Sequence, residues 1–104
     1  MKLTGLIAAT YTPFHPDGSV NLALIPQMTD HMIERGASGF YICGSTGEGE
    51  SLSVDERKKV AASYFTATNQ RVPTVIQVGH NSIDSARELA SHAADIGADA
   101  ISTL

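Results

Sequence analysis

Four short apolar runs alternate with three stretches of helical periodicity along this chain, and that order constrains the fold more than any other feature. Apolar residues are nearly continuous within each run, which is typical of strands buried on both faces of a sheet. Strands that alternate with helices through short turns predict βαβ units, right-handed crossovers and a parallel α/β sheet. The predicted strands cover residues 3–10, 39–43, 71–78 and 98–104.

The predicted helices carry start and stop signals. Ser53 and Glu56 match the capping box, in which each side chain bonds a backbone N–H of the other residue, so a helix is expected over residues 54–68. Ser82 is expected to cap a helix that runs to about Ile96. Pro26 is allowed only in the first turn of a helix, so it marks a helix start. Gly36 and Gly97 suit the position just after a helix end.

The last predicted strand is not followed by a helical pattern within the 104 residues. A parallel sheet is normally covered on both faces, so an uncovered last unit indicates an unfinished domain. We therefore expect residues 1–104 to be the N-terminal portion of a single (β/α)8 (TIM) barrel, about three and a half βα units, incomplete at the C-terminus. The alternative is a chain that completes a barrel by association with other copies.

The charge and cysteine content limit the partners of the chain. A formal net charge of −4 with scattered basic residues argues against a nucleic acid or an anionic membrane as partner. No apolar run approaches the roughly 18 residues that a membrane-spanning helix needs. The single cysteine, Cys43, excludes an internal disulfide and fits a reducing compartment, so we expect a cytoplasmic protein.

A glycine-rich loop over residues 44–51 follows the second predicted strand. Its spacing is close to that of the nucleotide-binding P-loop, but Glu50 stands where the phosphate-binding lysine belongs. Ser45 and Thr46, placed between glycines, offer two hydroxyls and backbone N–H groups to a smaller anion such as a carboxylate. The alternative is a glycine-rich turn in which Ser45 and Thr46 merely satisfy backbone groups.

We expect structural roles for the other reactive side chains of the chain. Cys43 is expected to be a small buried residue, and Glu48 and Glu50 are expected to stabilise a helix start or a turn. The histidines have no metal-ligand spacing, so no metal and no cofactor are expected. No lysine of the chain is a convincing buried nucleophile. The histidines are His15, His31, His80 and His92, and the lysines are Lys2, Lys58 and Lys59.

Several segments together resemble the pyruvate-dependent class I aldolases of the dihydrodipicolinate synthase and N-acetylneuraminate lyase family. The resemblance covers essentially the whole chain, and its most specific part is the Gly-Ser-Thr-Gly-Glu loop after a strand. The first strand and residues 40–42 look more like the N-acetylneuraminate lyase branch. The matching segments are residues 5–10, 12–14, 44–48, 52–57, 78–79 and 96–100.

The resemblance implies a (β/α)8 barrel in which a lysine on a later strand forms a Schiff base with pyruvate. It implies that Ser45, Thr46 and Gly47 bind the substrate carboxylate, and that a hydroxyl of Ser45 or Thr46 joins a proton relay with a tyrosine. The lysine and the tyrosine are expected beyond Leu104, so the chain alone is expected to be inactive. The whole protein is expected to be a homotetramer.

Three functions follow as hypotheses. The first is cleavage of N-acetylneuraminate to pyruvate and N-acetylmannosamine. The second is the reaction of dihydrodipicolinate synthase or of another pyruvate-dependent 2-keto acid aldolase. The third, from a different class, is a non-catalytic α/β module that binds a small anion.

Overall fold

The computed structural model describes residues 3–103, and it confirms the predicted alternation of strands and helices. Four strands form one parallel sheet in the order β1-β2-β3-β4, so each crossover joins neighbouring strands. The elements are β1 (Ile7–Ala9), α1 (Ile25–Glu34), β2 (Gly39–Ile42), α2 (Val54–Thr68), β3 (Thr74–Gln77), α3 (Ile83–Ile96) and β4 (Ala100–Ser102), with 3-10 turns at Leu22–Leu24 and Gly49–Ser51.

The strands are shorter than the apolar runs that predicted them. In β3, for example, Pro73 lies just before the first strand residue, because a residue without an N–H cannot donate to the sheet ladder. Lys2 and Leu104, which the sequence placed before β1 and at the end of β4, lie outside the described residues. Each strand is three or four residues long.

The predicted helix ends are confirmed in detail. The Ser53 side chain accepts from the Glu56 N–H at 3.1 Å, and the Glu56 carboxylate accepts from the Ser53 N–H at 2.8 Å. The Ser82 hydroxyl accepts from the Ser85 N–H at 3.3 Å. Gly97 ends α3 with φ +95°, a left-handed conformation that glycine adopts without steric cost.

The helices pack on one face of the sheet, α1 against α2 and α2 against α3. Phe40 and Ile42 of β2 point into this layer and are fully buried, and the Phe40 ring meets the edge of Tyr64 in α2 with centroids 6.0 Å apart. Side chains alternate along a strand, so Tyr41 points to the opposite face. Thr29 of α1 is also fully buried, a polar residue on the inner face that the helical periodicity did not predict.

The two edge strands are less covered than the central ones. Leu6 beside β1 is 65% exposed and Ile101 of β4 is 52% exposed, whereas all four residues of β3 are buried. Each edge strand has a neighbour on one side only in the described sheet. The buried core therefore sits under β2 and β3, directly below the loops that these two strands lead into.

Candidate functional site

The parallel strands all end at one edge of the sheet, which brings the loops after β1, β2 and β3 together. Ligands of parallel α/β folds bind at this carboxyl edge. The loop after β2, residues 43–52, is called the glycine loop below. Its Ser45 and Thr46 are exposed, while the flanking Gly44 and Gly47 are buried. The predicted anion-binding residues are thus presented to solvent at the correct edge.

Three buried glycines seat the glycine loop directly on the strand ends. A Cβ at Gly49 would lie 2.0 Å from the Cys43 carbonyl oxygen, and one at Gly47 would lie 2.7 Å from the Thr10 carbonyl oxygen. A Cβ at Gly44 would lie 2.5 Å from the Tyr41 ring. Any side chain at these positions would collide with backbone or ring atoms, so close approach requires glycine there.

The hydrogen bonds of the glycine loop leave a short run of donors free. The Glu48 N–H donates to the Ser45 carbonyl and the Gly49 N–H donates to the Gly44 carbonyl, both at 3.0 Å. Within residues 3–103, the N–H groups of Ser45, Thr46 and Gly47 have no hydrogen-bond acceptor. Three successive free N–H groups beside two exposed hydroxyls form an arrangement that suits an anion.

Two non-glycine residues with positive φ flank this run. Cys43 has φ +62° and Glu48 has φ +57°, which is the left-handed region that side chains rarely occupy. Such conformations are held by surrounding structure and are frequent at binding sites. The Glu48 side chain makes no cap hydrogen bond with the following turn, so the helix-start role predicted for Glu48 is not realised through such a bond.

Cys43 supports the loop from below. Its side chain is 1% exposed, and its Sγ lies 3.8 Å from the Arg57 carbonyl oxygen. Burial raises the pKa of the thiol to about 11, so the group stays protonated at neutral pH. This agrees with the sequence-based preference for a small buried residue over a reactive nucleophile.

Two residues that the sequence did not single out hold the loop after β1 in place. The Thr12 hydroxyl donates to the Gly47 carbonyl oxygen at 2.6 Å, which ties this loop to the glycine loop. The Tyr64 hydroxyl donates to the Tyr11 carbonyl oxygen, and burial raises the pKa of Tyr64 to about 12. A threonine and a helical tyrosine are common in many contexts, so neither pattern marks such a contact in a single sequence.

Arg57 of α2 holds the end of β3 and the loop that follows it in place. Its guanidinium donates to the Gln77 carbonyl at 2.7 Å and to the Gly79 carbonyl at 2.9 Å. The residue is 3% exposed and pairs with no carboxylate among residues 3–103. Arg57 lies in a segment that resembles the family, but an arginine on a predicted helix is normally solvated, so this buried contact was not predicted.

Of the remaining candidate residues, His80 lines a cavity beside the glycine loop together with Gly49 and Glu50, whereas Lys58 and Lys59 do not line it. His80 accepts at Nδ1 from the Ser82 N–H at 2.9 Å and so stabilises its own loop. Lys58 pairs with Glu88, and Lys59 pairs with Asp55 at 3.1 Å on the exposed side of α2. In the described part of the chain, no group of three or more His, Cys, Asp or Glu side chains could hold a metal ion.

The family model described as the dihydrodipicolinate synthetase family matches residues 2–104. The chain belongs to that family. It is 44% identical to N-acetylneuraminate lyase of Homo sapiens and 45% identical to that of Danio rerio, in each case over 99% of this chain. These alignments cover 33% and 34% of the relatives, so the chain spans about a third of the length of the curated proteins it matches.

Solved structures of the family share the fold. N-acetylneuraminate lyase of Proteus mirabilis superposes with a TM-score of 0.96 at 46% identity, over 99% of this chain and 35% of that one. Dihydrodipicolinate synthase of Aquifex aeolicus gives 0.90 at 28% identity, over 97% and 34%. The predicted fold class is thereby confirmed, and the four strands correspond to the N-terminal part of a (β/α)8 barrel.

Residues 3–103 contain no helix that is both long enough and apolar enough to cross a membrane.

Proposed function

We propose that this chain supplies the carboxylate-binding side of a Schiff-base lyase that cleaves N-acetylneuraminate to pyruvate and N-acetylmannosamine. The observation that carries the proposal is the segment Ser45-Thr46-Gly47, whose N–H groups and hydroxyls are free at the carboxyl edge of the sheet. Membership of the family supports the aldolase chemistry. The names of the relatives at 44% to 45% identity support the substrate.

In the proposed reaction, the N–H groups of residues 45–47 hold the substrate carboxylate beside the reacting keto carbon. A lysine supplied from outside residues 1–104 forms an iminium at that carbon, which accepts the electron pair when the C–C bond breaks. The hydroxyl of Ser45 or Thr46 passes a proton in a relay with a tyrosine that also lies outside the chain. The fixed N–H donors hold the carboxylate and so orient the keto carbon toward the lysine, which lowers the entropic cost of the reaction.

The lysines that the structure describes support a nucleophile from elsewhere. Lys58 and Lys59 of α2 are occupied in ion pairs with Glu88 and Asp55. A Schiff-base lysine has to be partly desolvated so that its amine is neutral and nucleophilic. The 104-residue chain alone is therefore proposed to be inactive, and treatment with pyruvate and borohydride should leave its mass unchanged. A reduced pyruvate adduct on Lys2, Lys58 or Lys59 would contradict this.

The test of the substrate uses the complete gene product that contains this chain. It should release pyruvate from N-acetylneuraminate, and it should not condense pyruvate with aspartate semialdehyde. The reverse pattern would favour a dihydrodipicolinate synthase, the second candidate, which the superposition on the Aquifex aeolicus enzyme supports at lower identity. No activity with either substrate, together with binding of pyruvate, would favour a non-catalytic anion-binding module.

Ser45→Ala and Thr46→Val test the site itself. Each removes one hydroxyl and leaves the backbone N–H groups in place, so the affinity for pyruvate should fall about fivefold for each variant, and kcat should also fall in the variant that loses the relay hydroxyl. The matched control is Thr66→Val, which removes an exposed hydroxyl on α2. Unchanged KM values in both site variants would contradict the proposed role.

We also propose a cytoplasmic homotetramer for the whole protein. The buried, protonated thiol of Cys43 fits a reducing compartment, and no disulfide is available to the chain. Sedimentation of the complete gene product measures the subunit number directly, and a monomer at micromolar concentration would contradict this proposal.

A further inference from the structure

Two hydroxyl side chains from strands that are not neighbours meet on the face of the sheet opposite the helices. The Tyr41 hydroxyl of β2 donates to the Ser102 hydroxyl of β4 at 3.2 Å. In the sheet register Tyr41 pairs with Val75, while Ser102 pairs with Gln77. The Tyr41 side chain therefore crosses over β3 to reach β4.

The same tyrosine ring supports the start of the glycine loop. A Cβ at Gly44 would lie 2.5 Å from the ring carbon Cε2 and 2.8 Å from Cδ2. The ring thus lies directly against the backbone that leads into Ser45. Because Gly44 has no side chain of its own, this contact limits how far the backbone can move toward the sheet.

The Tyr41 ring is consequently held at two ends. Its hydroxyl is fixed to β4 through Ser102, and its ring edge touches the backbone at Gly44. Loss of the hydroxyl would remove the bond that holds the ring across β3, so the ring would be free to tilt. A tilted ring would no longer fix the height of the loop above the strand ends.

We propose that Tyr41 is a positioning residue for the carboxylate site, and that Ser102 fixes its ring. The inference rests on the proposed function, since the site it positions is the Ser45-Thr46-Gly47 segment. Tyr41 acts through the loop and not on the substrate. Its removal should therefore weaken binding of the carboxylate, and it should also slow the chemical step, because the displaced loop carries the relay hydroxyl of Ser45 or Thr46.

The test measures KM and kcat for N-acetylneuraminate in the complete gene product. Tyr41→Phe and Ser102→Ala should each raise KM about fivefold and lower kcat less than removal of the relay hydroxyl itself does. The double variant should match either single variant, because both substitutions break the same hydrogen bond. Tyr41→Leu, which also removes the ring from Gly44, should raise KM more than about tenfold.

The matched control is Ser91→Ala, which removes an exposed hydroxyl on α3 and should leave KM unchanged. A purely structural role of Tyr41 and Ser102 would lower the melting temperature and leave KM unchanged, which would overturn the inference. Multiplying KM effects in the double variant would overturn it as well.

The carboxylate site and the positioning role of Tyr41 are tested separately. If the gene product is inactive, or if Ser45→Ala and Thr46→Val leave KM unchanged, the proposed function fails and the inference fails with it. If those site variants raise KM while Tyr41→Phe and Ser102→Ala do not, the inference alone is overturned.

Discussion

The glycine loop and the loop after β3 lie at the same edge of the sheet but differ in how their polar groups are used. His80, Asn81 and Ser82 of the loop after β3 are exposed, and the N–H groups of Gly79 and Ser82 are bound to the side chains of Gln77 and His80, while those of His80 and Asn81 have no acceptor within residues 3–103. The glycine loop is pressed onto the strand ends by buried glycines, yet the N–H groups of residues 45–47 remain free. The buried glycines and the run of three free N–H groups, rather than exposure, distinguish the glycine loop.

The largest effect should come from adding a methyl group under the glycine loop. In Gly49→Ala the new Cβ would lie 2.0 Å from the Cys43 carbonyl oxygen, so the loop must shift away from the strand end. We expect a loss of about 3 kcal/mol in the free energy of unfolding, measured by urea denaturation, and loss of pyruvate binding.

Gly36→Ala is the control for that substitution. Gly36 has φ +101° and open space around it, so only conformational strain is added, at a cost of about 1 kcal/mol. Equal losses of unfolding free energy in the two variants would show that the close contact of Gly49 with the strand end does not determine the stability of the loop.

The next effect should come from the link between α2 and the loop after β3. Arg57→Met removes both donors to the carbonyls of Gln77 and Gly79 and leaves those acceptors unpaired in a buried region. We expect a loss of about 2 kcal/mol in unfolding free energy. Because the glycine loop is held by contacts of its own, KM for the substrate should rise less in Arg57→Met than in Gly49→Ala. A larger rise in Arg57→Met would mean that the loop after β3 matters more for substrate binding than the glycine loop does.

A smaller effect is expected where the first loop meets the glycine loop. Thr12→Val keeps the shape of the side chain and removes the donor that bonds the Gly47 carbonyl at 2.6 Å. Stability should fall by about 1 kcal/mol, and KM should rise with it. The exposed Thr66→Val serves as the control, and identical unfolding curves for both variants would rule out a contribution from this bond.

The smallest effect concerns alkaline pH. Burial raises the pKa of Cys43 from 9.0 to about 11, so between these values the unfolded chain releases the thiol proton while the folded chain keeps it. Stability is therefore fully present below pH 9 and falls as the pH rises toward 11. Cys43→Ala should flatten the decline in melting temperature over that interval, and an unchanged slope would contradict the assigned pKa. Tyr64 adds a similar loss between pH 10 and 12, because its pKa is raised from 10.0 to about 12.

The order of elements and the helix caps could be predicted from sequence because they depend on local patterns. The capping box at Ser53 and Glu56 and the left-handed end at Gly97 are properties of a few adjacent residues. The position of Ser45 and Thr46 in a loop could also be predicted, because the end of a buried strand predicts the start of a loop.

The supports of the site could not be predicted, because each joins residues distant in sequence. Thr12 bonds Gly47 across 35 positions, and Tyr41 bonds Ser102 across 61. Nothing local marks a threonine or a tyrosine for such a contact. The sequence placed Ser45 and Thr46 between glycines that suit an anion site, and the structure shows in addition that Gly44, Gly47 and Gly49 bring the backbone close to the strand ends.

The most direct test of the carboxylate site is a crystal structure of the complete gene product after reaction with pyruvate and borohydride. The account predicts a reduced adduct whose carboxylate oxygens lie within hydrogen-bond distance of the Ser45, Thr46 and Gly47 N–H groups, with Tyr41 still bonded to Ser102. An adduct whose carboxylate is held elsewhere, with those N–H groups facing solvent, would contradict it.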